Sequence, residues 1–239
     1  LTEANTLKDE GDLALREGDL SASQVAYAAA LSIYRDIGER SGEANTLLSL
    51  GDLARSEGDV SAARESYNAA LPIFRDIGER LGEANTLYSL GNLALGESDL
   101  SMARADYGAA LLIFRDINER VGEATVLRGL GDLAQADENY ATALEWYNQA
   151  EVIYREMNEF EGLLITTVNQ VSIYNSQGNT EGLCDTLDRV LALVEGTTYQ
   201  DLSDIAGLRQ VAGELCTPPA RFDGNTSIGN RLTEANALR

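Results

Sequence analysis

The chain of 239 residues is 44% apolar and 24% charged, long enough to bury a substantial core and too apolar for disorder. Its 39 acids against 18 bases leave a formal net charge of −21, which would repel phosphate backbones and so argues against nucleic-acid binding. With no histidine and only two cysteines, it lacks the residues for Ser-His-Asp or Cys-His catalysis, His-ligated zinc or a four-thiolate metal site.

The opening words LTEANTLK return as LGEANTLY at 81–88 and as RLTEANALR at 231–239. At a period of 40, Gly11, Gly51, Gly91 and Gly131 fall in register, as do Tyr27, Tyr67, Tyr107 and Tyr147. Ala30, Ala70, Ala110 and Ala150 follow in the same phase, and Arg35, Arg75, Arg115 and Arg155 complete the ladder. A fixed period of this size means stacked supersecondary units.

Each unit reads as two helices. In the second unit Ala44, Leu47, Leu50, Gly51 and Ala54 make an amphipathic stripe. Gly58-Asp59 then breaks the chain, with Asp59 suited to cap the helix that follows. That helix buries Val60, Ala63, Tyr67, Ala70, Leu71, Phe74 and Ile77 and stops at Gly78, where a left-handed cap is available. The equivalent stops are Gly38, Asn118 and Asn158. Small residues at Gly51, Ala63 and Ala70 let helices approach closely, and Tyr67 fills the space between them. Pro72, inside the second helix, is expected to bend it or loosen a hydrogen bond.

Leu47-x2-Leu50-Gly51-x2-Ala54, followed by Ala63-x3-Tyr67 and Ala70, resembles the tetratricopeptide repeat, with leucine where that family often has tryptophan. The resemblance covers residues 1–160 as four regular units. Arg75 and its equivalents stand where the family usually places proline, and the unit is longer than the common repeat of about 34 residues. Longer units of this kind are similar to those of kinesin light chains, Pins-type adaptors and bacterial multidomain signalling proteins. The resemblance implies an all-α, right-handed solenoid of antiparallel helix pairs.

The fifth unit is irregular. Residues 161–177 and 180–195 still read as a helix pair around Gly178-Asn179, but Val171 replaces the glycine and Leu187 the tyrosine. Residues 201–215 follow as one more striped helix, through Leu202, Ile205, Leu208, Val211 and Leu215, so that 161–216 reads as a cover for the end of the solenoid. Cys184 and Cys216 come back together if these last helices are antiparallel. A disulfide is thus geometrically allowed, although two separate thiols are the favoured state for a cytoplasmic chain, the setting expected here. Residues 217–227 read as a turn-rich linker, and 228–239 as the start of a further repeat helix. With Leu232, Ala235 and Leu238 on one face, that helix is too short to stand alone and is expected to dock on a repeat surface, giving a route to self-association. The chain opens on Leu1 and reads as an excised piece of a longer protein.

In the tetratricopeptide family the first helix of each pair lines a concave groove, and the matching positions form rows. Asn5, Asn45 and Asn85 make one row, with Thr125 fourth; an amide there can clamp a peptide backbone or simply solvate the helix. Asp12, Asp52, Asn92 and Asp132 make a second. Its members sit about 10 Å or more apart, too far for a shared metal or a carboxylate pair, so a solvated or partner-facing row is expected. Lys8, Leu48, Tyr88 and Arg128 lie between the rows, and Leu15, Arg55, Leu95 and Gln135 beyond them. Leu48, Tyr88 and Leu95 are the leading binding candidates, being apolar on a polar face. Trp146, where other units have Ala26, Ser66 and Asp106, is expected to pack against the fifth unit. Glu39-Arg40, Glu79-Arg80 and Glu119-Arg120 are expected to form inter-repeat salt bridges.

These readings point to a non-catalytic scaffold that binds a protein or peptide, basic or amphipathic, in its groove. No cofactor, metal, nucleic acid or membrane partner is expected. The alternative is a regulatory or sensor segment of a larger signalling protein whose nucleotide-binding or caspase-like effector lies elsewhere.

Overall fold

The structure, a computed structural model, describes residues 1–195, 197 and 203–216. The closing segment 228–239 and its expected docking lie outside the described residues. Every described element is an α-helix: α1 (Thr2–Glu17), α2 (Leu20–Ile37), α3 (Arg40–Ser56), α4 (Val60–Ile77), α5 (Arg80–Gly96), α6 (Leu100–Asp116), α7 (Arg120–Ala136), α8 (Tyr140–Met157), α9 (Phe160–Ser176), α10 (Thr180–Val194) and α11 (Ser203–Leu215). The chain divides into two compact units, Leu1–Asn169 and Gln170–Arg239, with the division falling inside α9.

The first unit is a solenoid of antiparallel pairs. Within each pair α1 packs on α2, α3 on α4, α5 on α6 and α7 on α8, and between pairs α2 packs on α3, α4 on α5 and α6 on α7. Local chemistry sets the boundaries. Asp19, Asp59, Asp99 and Asn139 cap the second helices, each accepting a backbone N–H three residues on at 2.9 to 3.3 Å. Gly38, Gly78, Asn118 and Asn158 close these pairs in the left-handed conformation, as the sequence predicts. The α4 helix continues through Pro72, on an exposed face.

One ring-on-glycine contact recurs through the stack. Tyr27, Tyr67, Tyr107 and Tyr147 are at most 1% exposed, each lying against the glycine 16 residues earlier in its own pair. A Cβ at Gly11, Gly51, Gly91 or Gly131 would stand under 3.0 Å from the ring. A second set works between pairs: Tyr34, Phe74, Phe114 and Tyr154 lie in the same way on Gly42, Gly82, Gly122 and Gly162 of the following first helix. These glycines give up helix propensity so that an aromatic ring can fill the space between two backbones.

Ion pairs tie the same junctions, though the partners differ from expectation. Glu39, Glu79 and Glu119 do not bridge repeats; each caps its own first helix, accepting the N–H of Gly42, Gly82 or Gly122. The link between pairs runs from Arg35, Arg75 and Arg115 to Glu43, Glu83 and Glu123 at 2.9 to 3.0 Å. Arg40, Arg80 and Arg120 pair with the same three glutamates. An arginine where the family has proline is thus explained: it reaches the next pair. After the fourth pair Leu163 of α9 replaces the glutamate, and Arg155 turns back to Glu151 at 2.6 Å.

In the second unit α10 buries Leu183, Leu187, Val190 and Val194, and Asn179 caps it through the Gly182 N–H at 3.0 Å. Val171 and Leu187 are both buried, so loss of the tyrosine ring is matched by loss of the glycine that made room for it. The helix α11 packs on α10, and Cys184 and Cys216 are joined in a disulfide with their Cα atoms 5.3 Å apart. The bridge stands where separate thiols are favoured from sequence, because the antiparallel packing brings two residues 32 apart to bonding distance.

Candidate functional site

The face built by the first helices α1, α3, α5 and α7 carries the predicted rows, and the packing assigns their members different jobs. The second row meets the buried tyrosines. The hydroxyls of Tyr27, Tyr67, Tyr107 and Tyr147 donate to Asp12, Asp52, Asn92 and Asp132 at 2.6 to 2.7 Å, always 15 residues apart. The same tyrosine that fills the glycine notch therefore finds its acceptor on the helix it packs against. One oxygen of each residue is therefore engaged by a tyrosine, while the side chains of Asp12, Asp52 and Asp132 stay partly exposed. Burial, with the neighbouring Asp12, pushes the Tyr27 phenol up to about 12, and burial raises Tyr67, Tyr107 and Tyr147 further. Burial also raises the carboxyls of Asp52 and Asp132, with their tyrosine hydrogen bonds and Arg55 or Arg128 opposing.

The asparagine row divides according to one hydroxyl. Tyr34 donates to Asn5 at 2.7 Å, and Tyr154 to Thr125 at 3.0 Å, each 29 residues apart. At the same register Asn45 and Asn85 face Phe74 and Phe114, which have nothing to donate. Asn45 instead donates to the Ser41 carbonyl at 2.9 Å. Asn85 is exposed and lines a cavity of about 390 Å³ with Leu81, Tyr88, Phe114, Val121 and Thr125. A smaller cavity of about 200 Å³ follows along the face, between Val121, Thr125, Arg128, Tyr154 and Ile165.

The residues between and beyond the rows are less free than their sequence suggests. Lys8 pairs with Asp12 at 2.8 Å. Leu48 is half-buried and packs on two core clusters, one around Leu47 and Phe74, the other around Tyr67 and Leu90. Tyr88 is half-buried, its ring centroid 5.8 Å from that of Tyr107. Arg55 is exposed beside Asp52, while Leu15, Leu95 and Gln135 are half-buried. Burial works against the charge on Arg128, but Tyr88, Tyr154 and Asp132 outweigh it and raise its pKa. Asp132 also accepts the Asn169 amide at 2.8 Å.

Two residues outside the rows are informative. Leu81, 44% exposed at the cavity mouth, escapes a reading based on the rows because it sits one turn before them. Trp146 is half-buried and lines a cavity of about 250 Å³ with Arg104, Leu130, Leu133 and Thr142, between the third and fourth pairs. Among the described residues no group of three or more Cys, Asp or Glu is placed to hold a metal ion. Nor is any described helix long and apolar enough to cross a membrane.

Compared with known proteins, the family model described as tetratricopeptide repeat matches residues 2–76 and 82–156. No curated protein matches the chain. Among solved structures, the apo form of RapI is 16% identical with a TM-score of 0.75, over 99% of this chain and 82% of that one. A Rap protein complexed with Competence and Sporulation Factor is 13% identical with a TM-score of 0.74, over 90% of this chain and 65% of that one. BtubC (BKLC) from P. vanneervenii is 20% identical with a TM-score of 0.67, over 91% of this chain and 84% of that one. At these identities the likeness is one of fold.

Proposed function

The chain belongs to the tetratricopeptide repeat family, and on that footing we propose that it is a non-catalytic interaction scaffold holding a peptide or helix against its first-helix face. One observation carries this reading. Among the described residues Asn85 is the member of its row that neither a tyrosine nor its own helix engages, and it opens on an apolar cavity. An exposed amide offers a donor and an acceptor to a passing backbone. Leu81, Tyr88 and Val121 offer walls for one apolar side chain. The excess of acids favours a partner that is basic or amphipathic. The Rap protein complexed with Competence and Sporulation Factor supports the same use of the fold.

The test is a peptide array probed with the parent chain and with a Leu81→Ser, Asn85→Ala double variant. Both changes fall on exposed side chains, so the circular dichroism spectrum should stay unchanged while captured peptides are lost. Rising salt should weaken the capture of basic peptides. A variant that retains every peptide the parent binds would sink the groove reading.

A further inference from the structure

We propose that the Cys184–Cys216 bridge is a thiol–disulfide latch that holds α11 on α10. Among the described side chains, α10 is the more deeply buried of the two helices. Four apolar side chains of α10 are buried, Leu183, Leu187, Val190 and Val194, none more than 3% exposed. Among the described side chains of α11 only Ile205 is buried; Leu208 and Ala212 are half-buried and Leu215 is 52% exposed. A helix of 13 residues is marginal by itself in water, so its order depends on what it is docked against. The covalent link reinforces that docking. It ties a residue near the start of α10 to the residue that follows α11, which fixes the antiparallel arrangement at its far end.

Both cysteines are half-buried, so a small thiol can reach the bond. A thiolate of a dithiol reductant attacks one sulfur, forming a mixed disulfide and releasing the other cysteine as a thiolate. The reagent's second thiol then closes on the first and leaves as a cyclic disulfide. Two electrons and two protons end on Cys184 and Cys216. In a reducing compartment the latch stands open and α11 detaches; in an oxidising one it stays closed. Closing a loop of this length shifts the local opening equilibrium by about 100- to 1000-fold.

Hydrogen exchange on the full chain tests this, after intact mass on protein purified without reductant shows the two-hydrogen deficit of the bridge. Adding dithiothreitol should lower protection across 203–215 by about 100- to 1000-fold and leave α1–α8 unchanged. The Cys184→Ser, Cys216→Ser variant should match the reduced parent without any reagent. If that variant does not fold, the reduced parent decides alone. Equal protection of α11 in both redox states would overturn the latch, as would a mass without the deficit after air oxidation. A loss spread evenly over α1–α8 would also overturn it, since the bridge would then support the whole chain.

Discussion

Gly91→Ala and Gly108→Ala are the same substitution on consecutive helices, and the packing gives them opposite signs. At Gly91 a Cβ would stand 2.7 Å from two ring carbons of Tyr107, and ordinary contact begins at 3.4 Å, so the ring must retreat by about 0.7 Å. It has little freedom to do so: Tyr107 is fully buried, bonded to Asn92 at 2.7 Å and set against the tilted ring of Tyr88. Overpacking of this kind costs about 1–3 kcal/mol, and loosening the hydrogen bond adds up to about 1. Helix propensity returns about 0.8–1 kcal/mol, which leaves a net loss of about 0–3 kcal/mol. At Gly108, inside α6, nothing lies within 4 Å of a new Cβ, and the propensity gain of about 0.5–1 kcal/mol remains. Urea unfolding followed by far-UV circular dichroism reads both. With an m-value of about 3 kcal/mol/M the two midpoints should separate by about 0.2–1.3 M, with that of Gly91→Ala the lower. If Gly91→Ala raises the midpoint as Gly108→Ala does, the ring-on-glycine contact does not hold the pair together.

Asp52→Asn should stabilise the chain at pH 7, because Asn92 already shows an amide accepting the equivalent tyrosine and burial disfavours the Asp52 charge. The folded carboxyl titrates above its usual value, so the parent loses stability as pH rises from that value through the raised one. The variant's advantage should therefore be full at neutral pH and vanish near pH 3, read from urea midpoints at both. Glu138→Gly should raise stability by about 1 kcal/mol and Tm by about 2–4 °C, since Glu138 sits at φ 55° where Gly18 and Gly58 occupy the equivalent turns; calorimetry of the two proteins checks it.

The 40-residue period, the helix pairs and their ends at Gly38, Gly78, Asn118 and Asn158 are all legible in the chain, and so is the buried phase of Ala63, Tyr67 and Ala70. These depend on spacing along one helix or on the conformation of one residue, which a sequence states directly. The rows on the first-helix face are legible as rows, but their jobs are not. Whether Asn5 or Asn85 is available turns on a hydroxyl 29 residues later, present in Tyr34 and missing in Phe114. Whether an aspartate faces solvent or holds a tyrosine turns on how deeply the neighbouring ring seats against its glycine. Arg75 meets Glu83, and Cys184 meets Cys216, only because separate helices are brought side by side. Periodicity places a side chain on a face to within a turn of helix, whereas a hydrogen bond or a disulfide is made or lost over about an ångström, a distance that only the packed helices set.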